Sequence, residues 1–319
     1  MPDTTAPELE NARKSSSTRT QSPVAPIPTP DYLANAHQEP VVASFPRPLL
    51  VILDMNGTLI YRNKSRPATS FIKRPYLDVF LRHLFERYKV MIWTSATPLT
   101  VREIVRKLFA PEVKSDNFVS VWARDKLDLS KKQYIDKVQV YKKLEKVWND
   151  DFIQSKYPEV RDDLTNEQSS WSQSNTVLID DNKLKAAGQP HNIIDIPEFT
   201  NDMAVDEKEI LITVLRQLRI LAMQHDVSRK LRQWGEMKKT ADASLSVAQF
   251  WRTQLNKDEK ELGLDEEIML LETQTDVSES VSKWNNAEST NKKKKKKKKK
   301  KKAKKRGKST MQAMTTSAS

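Results

Sequence analysis

The sequence contains no cysteine, and this absence excludes three kinds of chemistry at once. Disulfide bonds, zinc sites built from thiolates and catalytic cysteine nucleophiles all need the missing side chain. Apolar residues are also scarce: they make up 37% of the 319 residues, whereas globular chains typically reach about 45–50%. We therefore expect part of the chain to lie outside any packed core.

Long hydrophobic runs are absent as well. The strongest apolar stretch covers residues 49–53, far short of the roughly eighteen residues that a membrane helix needs. The first residues include Asp3, Glu8 and Glu10 and show neither the apolar run nor the basic amphipathic pattern of a targeting sequence. These features predict a soluble intracellular protein with no membrane partner, and they disfavour a mitochondrial location.

The net charge of +13 arises at one end of the chain. Eleven consecutive lysines begin at Lys292, and fifteen basic residues lie from there to Lys308 with no acidic residue among them. Subtracting these fifteen charges from +13 leaves −2 for the rest of the chain, which is therefore not basic. The run favours a nuclear address or loose binding to RNA, DNA or another polyanion, and the alternative is a solvated tail without a partner.

Composition divides the chain into four parts. Residues 1–47 hold eight of the sixteen prolines and few large apolar residues, so they are predicted to be a disordered Ser/Pro-rich segment. Residues 48–230 carry the pattern of a folded domain. Residues 231–291 are predicted to be a helical, polar extension with a helix at 241–261, and residues 292–319 a disordered lysine-rich tail, because like charges repel one another.

Apolar runs alternate with helical patterns between residues 48 and 230. Buried strands are predicted at 49–53, 90–93, 176–179 and 193–196, and helices at 76–88, 99–109 and 207–223. Residues 137–148 are predicted to be a helix or a strand–helix junction. Unbroken apolar strands separated by helices are typical of an α/β fold, in which helices cover both faces of a parallel sheet.

Polar residues stand where each of the first three predicted strands ends. They are Asp54-Met-Asn56-Gly57-Thr58, then Thr94-Ser95, and then Asp180-Asp181-Asn182. Ligands bind at the carboxyl ends of strands in open α/β sheets, so we expect these groups to share one site. Taken singly, each motif is typical of a turn or a helix cap, and Lys142 is typical of a solvated helix face. Their occurrence together, each at a predicted strand end or in the interval between strands, favours a shared functional site.

The combination of these residue types fits phosphoryl transfer. A carboxylate at a strand end can attack phosphorus and form an aspartyl phosphate. A hydroxyl group and an ammonium group can hold the phosphoryl oxygens, and carboxylates near the nucleophile offer the oxygen ligands that Mg²⁺ prefers.

These residues resemble the haloacid dehalogenase (HAD) superfamily, and within it a divergent, fungal- or plant-like form of the FCP/SCP-type phosphatases, which act on the C-terminal domain of RNA polymerase II. The resemblance covers about residues 48–225. It rests on Ile52-Leu-Asp-Met-Asn-Gly-Thr-Leu59, Arg74-Pro-Tyr-Leu-Asp78, Trp93-Thr-Ser-Ala96, Tyr141-Lys-Lys-Leu144 and Leu178-Ile-Asp-Asp-Asn182. It implies a HAD-like Rossmannoid three-layer sandwich around a central parallel sheet, with disordered N- and C-terminal tails.

The resemblance also implies roles for the site residues. Asp54 is the nucleophile, Lys142 stabilises the intermediate, and the phosphoryl group is bound by Thr94 or Ser95, with Thr58 as a further substrate-binding residue. Lys143 and Lys146 are neighbours of Lys142 in the sequence. Mg²⁺ is held by Asp54, Asp181 and the backbone carbonyl of Asn56, with Asp180 positioning that site.

One position departs from the family pattern. A second aspartate follows the nucleophile by two residues in the family, and here that position is Asn56. The aspartate protonates the leaving alkoxide and later activates water, whereas an amide cannot transfer a proton. General acid–base catalysis is typically worth about 10²–10⁴-fold, so hydrolysis of serine and threonine phosphates is expected to suffer most.

Three functions therefore stay open. The first is a Mg²⁺-dependent phosphatase that acts on a phosphoprotein in the nucleus, or alternatively in the cytoplasm, and is weak unless another residue serves as the acid. The second is a catalytically silent HAD-fold scaffold, or a domain similar to the HAD-fold receptor of the mitochondrial inner-membrane import translocase. The third is association with a polyanion or nucleic acid through the lysine tail alone.

Overall fold

The computed structural model describes residues 20–63, 65–109, 115–158, 170–202, 207 and 209–264. The predictions for residues 1–19, for 265–291 and for the lysine tail fall outside these described residues. Between residues 20 and 263 the described chain forms one compact unit. None of the helices described there is long and apolar enough to cross a bilayer.

A five-stranded parallel sheet lies at the centre of the fold. The strands of the described chain are β1 (Leu50–Leu53), β2 (Ile60–Tyr61), β3 (Ile72–Lys73), β4 (Lys89–Trp93), β5 (Phe118–Trp122), β6 (Thr176–Asp180) and β7 (Ile193–Asp195). The central sheet has the order β5-β4-β1-β6-β7, and β2 pairs with β3 in a separate antiparallel ribbon. Val51 of β1 lies between Val90 of β4 and Val177 of β6, which fixes the register.

Helices surround this sheet. In the described residues they are α1 (Pro30–Ala36), α2 (Leu77–Arg87), α3 (Pro98–Leu108), α4 (Lys131–Ile135), α5 (Leu144–Trp148), α6 (Asp151–Gln154), α7 (Ile210–Ala222), α8 (Val227–Thr240) and α9 (Val247–Glu261). Short 3-10 helices follow two strands, at Arg124–Lys126 after β5 and at Lys183–Ala186 after β6.

The sheet is buried on both faces, as its unbroken apolar strands predict. All four residues of β1 are buried, and successive side chains point to opposite faces. Leu50 and Ile52 belong to a core cluster that includes Val147 of α5 and Ile153 of α6. On the opposite face α2 contacts both β4 and α7. The predicted α/β sandwich with a central parallel sheet is confirmed.

Strand β5 and residues 137–148 are among the parts of the chain that differ from the sequence-based expectation. Strand β5 was not predicted, because its buried positions alternate with Ser120 and other half-buried residues instead of forming an apolar run. It lies at the edge of the sheet, where one side of a strand can remain partly exposed. The predicted helix or junction at 137–148 is helical only in α5, and Lys142 lies in the non-helical segment before it.

The prediction of disorder over residues 1–47 is wrong for the described part, residues 20–47. Helix α1 begins at Pro30 after a Thr29 cap, and Tyr32 is only 5% exposed. The Tyr32 hydroxyl donates to Asn192 Oδ1 at 3.0 Å and accepts the His191 N–H at 2.8 Å. Composition predicts disorder for a segment taken alone, whereas this segment acquires its hydrogen-bond partners from the folded domain.

The predicted boundary at residue 230 is also not a structural boundary. Helix α8 begins before it, and Trp234 is 1% exposed with its indole N–H donating to Asp258 Oδ2 at 2.7 Å. Helix α9 contacts α7 as well. Since Trp234 and Leu255 are buried, the residues up to Gly263 are part of the folded unit and not an appended polar extension.

Candidate active site

The strand order brings the predicted site residues to one edge of the sheet. Strand β1 lies between β4 and β6, so Asp54 after β1 has Thr94 after β4 on one side and Asp180 at the end of β6 on the other. From β1 the chain builds first towards β4 and β5 and then returns to add β6 and β7. The point where the direction reverses is where α/β sheets open a ligand crevice.

Gly57 allows the chain to turn away from β1 directly beside a carboxylate. Its φ of +88° is in a region that residues with a side chain rarely adopt. A Cβ at this position would lie 2.5 Å from Asp181 Oδ2, so a side chain would also collide with the site. The glycine therefore lets the loop after β1 approach the end of β6 closely.

Lys142 joins two of the carboxylates in the interior. Its Nζ donates to Asp54 Oδ1 at 3.0 Å and to Asp180 Oδ2 at 2.6 Å, and its side chain is 0% exposed. Lys143 and Lys146, in contrast, are partly exposed and pair with Asp128. The structure thus places Lys142, and not its two neighbours, at Asp54.

Lys185 was missed by the sequence analysis and lies at the centre of the carboxylates. Its Nζ donates to Asp54 Oδ2 at 3.0 Å, to Asp180 Oδ1 at 2.7 Å and to Asp181 Oδ1 at 3.2 Å. The 3-10 helix after β6 returns this side chain towards the strand end. The available signal was a lysine four residues after Asp181, a spacing at which a helical turn brings two side chains together.

The two lysines set the protonation of the carboxylates. Burial alone would raise the pKa of Asp54, but the charges of Lys142 and Lys185 outweigh it and lower that pKa to about 2. Burial raises the pKa of Asp180 to about 6, with Lys142 opposing this effect and the negative charge of Asp54 adding to it. Asp54 is therefore ionised throughout the neutral range, as a nucleophile must be.

Asn56 is held by an arginine that the sequence analysis did not identify. The Nε of Arg62, in the loop after β2, donates to Asn56 Oδ1 at 3.2 Å, and its guanidinium N–H also donates to the carbonyl of Ala68. Burial lowers the pKa of Arg62, and the charge of Asp54 opposes that effect. Where the resemblance implies an acid, the site therefore has an amide beside a guanidinium, and neither group is an acid at neutral pH.

The hydroxyl residues of the predicted site have different surroundings. Thr94 is 1% exposed, and its Oγ1 accepts the Ala96 N–H at 3.4 Å, which leaves its own proton for another acceptor. Ser95 follows it in the same loop and is half-buried. Thr58 is fully buried as well, with Oγ1 accepting the Asp181 N–H at 3.1 Å and donating to its Oδ1 at 3.3 Å, and its contact with substrate stays a prediction. Its hydroxyl holds Asp181 in place.

A buried arginine supports the loop that carries Thr58. Arg74 is 1% exposed, donates to the Thr58 carbonyl at 2.9 Å and pairs with Glu207 at 2.8 Å. Arg74 begins the motif Arg74-Pro-Tyr-Leu-Asp78. Its contacts hold the loop after β1 against the body of the domain, so we expect it to position the site.

The donor set fits a hard divalent cation. Asp54, Asp180 and Asp181 each offer one carboxylate oxygen, and these oxygens all lie within 4.8 Å of one another. Carboxylate oxygens are the ligands that Mg²⁺ prefers. The side-chain oxygen of Asn56 accepts a hydrogen bond from Arg62. Binding of the metal by the backbone carbonyl of Asn56 stays a prediction.

A family model and a curated relative both match the part of the chain that carries this site. Residues 49–228 match the family model described as NLI interacting factor-like phosphatase. An uncharacterized FCP1 homology domain-containing protein of Schizosaccharomyces pombe is 32% identical over 215 residues, which cover 64% of this chain and 83% of that protein. The similarity extends over most of the described domain.

Two solved structures are more distantly similar. One is Fcp1, described as an essential RNA polymerase II CTD phosphatase, with 15% identity over 67% of this chain and 62% of that chain. The other is a variant of fission yeast RNA polymerase II CTD phosphatase Fcp1 bound to beryllium fluoride, with 14% identity over 74% of this chain and 66% of that chain. This chain spans less than two thirds of either structure, both TM-scores are 0.34, and a likeness this distant carries no information about the site.

Proposed function

Because the chain belongs to the NLI interacting factor-like phosphatase family, we propose that it hydrolyses a phosphoprotein, at serine or threonine, through a covalent intermediate on Asp54. The observation that carries the proposal is the setting of Asp54 at the end of the central strand. Its two carboxylate oxygens each lie 3.0 Å from an ammonium group, one from Lys142 and one from Lys185.

The chain's own residues supply the first step. An ionised oxygen of Asp54 attacks phosphorus, an O–P bond forms, and the bond from phosphorus to the leaving oxygen breaks with its electron pair on that oxygen. Lys142 stays beside Asp54 and offsets the negative charge that accumulates there, and the Thr94 hydroxyl donates to a phosphoryl oxygen. Water then attacks phosphorus, the bond between phosphorus and the Asp54 oxygen breaks with its electron pair on the carboxylate, and inorganic phosphate is released. The leaving oxygen takes its proton from bulk water, and the proton that the attacking water loses returns to bulk water.

The charge balance of the site supports a need for Mg²⁺. Three carboxylates and two ammonium groups leave one net negative charge when Asp180 is ionised. A phosphate monoester adds about two more negative charges at neutral pH. Asp54, Asp180 and Asp181 would hold Mg²⁺, and its positive charge would offset the negative charges of the phosphoryl group.

The environment of Asn56 sets a limit on the leaving group. Arg62 can stabilise negative charge near Asn56, but neither side chain can donate a proton to an alkoxide at neutral pH. Serine and threonine phosphates are therefore expected to turn over slowly, and aryl phosphates, whose oxygen leaves without protonation, are expected to turn over faster.

The test compares hydrolysis of para-nitrophenyl phosphate and a phosphoserine peptide, with Mg²⁺ and with EDTA. Asp54→Asn should abolish turnover of both substrates. The matched control Asp195→Asn changes an exposed aspartate at the end of β7 and should retain wild-type rates. Asn-Gly sequences deamidate, and deamidation of Asn56 would create the carboxyl group that the wild-type chain lacks. The mass of the peptide containing Asn56 must therefore be checked before any activity is attributed to the wild-type chain. Equal turnover in Asp54→Asn would eliminate the proposal.

The amide at position 56 also favours a second candidate, a catalytically silent domain that binds a phosphorylated ligand. It predicts no turnover by the wild-type chain, activity in Asn56→Asp alone, and retained binding of a phosphopeptide by both. Wild-type turnover of both substrates would exclude this candidate, and comparable rates for the two substrates would require an acid other than residue 56.

The lysine run between Lys292 and Lys308 supports a separate proposal, in which the tail provides a nuclear address and loose attachment to a polyanion. Such attachment would not depend on base sequence and would weaken steeply as salt is raised. Removing residues 292–308 should abolish binding to both single-stranded RNA and duplex DNA and leave para-nitrophenyl phosphate hydrolysis unchanged. Retained binding after the deletion would refute the role of the tail.

A further inference from the structure

We propose that Lys185 is a tethered cation that competes with a divalent metal ion for the site carboxylates. This inference rests on the proposed function, because it takes Asp54, Asp180 and Asp181 as the metal-binding acids. The ammonium lies within hydrogen-bond distance of one oxygen from each of the three: 3.0 Å for Asp54, 2.7 Å for Asp180 and 3.2 Å for Asp181.

The position of the ammonium explains the competition. The three acids whose oxygens cluster within 4.8 Å are the same three that Lys185 contacts. They raise the pKa of Lys185 although burial opposes them, so the group stays charged at neutral pH. Two cations held against the same oxygens repel each other strongly where water is largely excluded. A metal ion that takes these oxygens must therefore displace the ammonium.

The side chain of Lys185 can move towards solvent more freely than the side chain of Lys142. The Lys142 side chain is 0% exposed and contacts Asp54 and Asp180 from the interior, whereas the Lys185 side chain is 11% exposed. Lys185 also belongs to a short 3-10 helix at the protein surface, next to the exposed Lys183. Its side chain has a path to solvent, and that of Lys142 does not.

The backbone of Lys185 is fixed while its side chain moves. The Lys185 carbonyl accepts the Lys142 N–H at 2.6 Å, and the Asn182 side chain caps the 3-10 helix by accepting the Leu184 N–H at 3.0 Å. Displacement can therefore occur by side-chain rotation without loss of the turn. In the absence of metal the ammonium keeps the three carboxylates together, and in its presence the same group is released.

Competition lowers the affinity of the site for metal. The released ammonium regains hydrogen bonds to water, so the net cost to the metal is taken as about that of one hydrogen bond between charged groups. Removing the ammonium should tighten metal binding by roughly 10- to 100-fold, since 1.4 kcal/mol corresponds to about tenfold.

The first test measures Mn²⁺ binding by electron paramagnetic resonance, without substrate. Lys185→Met should bind Mn²⁺ roughly 10- to 100-fold more tightly than the wild-type chain. The matched control is Lys183→Met, the same change at an exposed lysine of the same 3-10 helix, and its affinity should equal that of the wild type. Equal or weaker Mn²⁺ binding by Lys185→Met overturns the proposal, whether or not the chain turns over phosphate esters.

A second test uses the wild-type chain, so that it does not depend on the folding of a variant. Acylation of lysine amines is followed by mass spectrometry, peptide by peptide, with and without saturating Mg²⁺. Metal should increase the modification rate of Lys185 and leave that of Lys183 unchanged. A Lys185 rate that metal leaves unchanged or slows overturns the competition. The phosphatase proposal is judged separately, by turnover in the wild type and in Asp54→Asn.

Discussion

Replacing Lys142 by methionine removes the fully buried one of the two ammonium groups that contact Asp54 among the described residues. Methionine preserves most of the volume of the side chain but none of its charge. The variant leaves Asp54 and Asp180 facing each other with Lys185 as their remaining cation. Three carboxylates would then share one ammonium group, and the net charge of the site would change from one negative to two negative.

The size of the effect follows from burial. The Lys142 side chain is 0% exposed and its two partners are 2% and 0% exposed, so water cannot replace the lost contacts. Removing one partner of a buried ion pair typically costs about 3–5 kcal/mol. Lys143→Met is the matched control, because that side chain is 44% exposed and lies 3.5 Å from an Asp128 oxygen. An exposed pair of this kind contributes at most about 1 kcal/mol.

The assay is urea unfolding at neutral pH in EDTA, applied to a double-mutant cycle. Adding Asp180→Asn to Lys142→Met restores the original net charge of the site, so the double variant should lose less stability than the sum of the two single losses. Residues in one ion-pair network typically show coupling of about 0.5–3 kcal/mol. The reasoning is refuted if Lys142→Met costs no more than Lys143→Met, or if the two changes are additive.

Three further predictions concern the same domain. In metal-free protein the free energy of unfolding should fall as pH rises from about 4 to about 6, because folded Asp180, with a pKa raised to about 6, holds its proton more tightly than the unfolded chain does. Asp180→Asn should flatten this fall, and an unchanged pH profile in that variant contradicts the assignment of the fall to Asp180. Tyr32→Phe removes two hydrogen bonds of a buried hydroxyl and should cost about 1–3 kcal/mol in urea unfolding, whereas a loosely attached segment predicts no change. Gly57→Ala places a Cβ 2.5 Å from Asp181 Oδ2 and should both lower the melting temperature and weaken Mn²⁺ binding; unchanged metal affinity would show that the carboxylate moves aside freely.

The strands and the residues that end them could be predicted because their signals are local. The apolar runs of β1, β4 and β6 are continuous, and Asp54, Thr94 and Asp180 come at their ends. Parallel pairing then brings these ends together without further information. Strand β5 escaped prediction because an edge strand does not need a continuous apolar run.

Lys185 and Arg62 could not be placed by the same reasoning. Lys185 reaches the carboxylates because the chain forms a 3-10 turn after β6. Arg62 reaches Asn56 because the turn after β1 pairs Asn56 with Ile60, two residues before Arg62. A charged residue in a polar stretch is usually a solvated one, and only the path of the backbone distinguishes these two. The disorder predicted for residues 20–47 failed for a related reason, since Tyr32 has its hydrogen-bond partners about 160 residues away in the chain.

The most direct test of the account is detection of the phosphoryl group on Asp54. A wild-type sample is mixed with para-nitrophenyl phosphate and Mg²⁺, quenched with acid within one turnover, and its peptides are analysed by mass spectrometry. The account predicts one added phosphoryl group on the peptide that contains Asp54, its loss on longer incubation, and no such peptide in Asp54→Asn. Release of phosphate by the wild type with no phosphorylated Asp54 at any quench time, and at the same rate in Asp54→Asn, would contradict it.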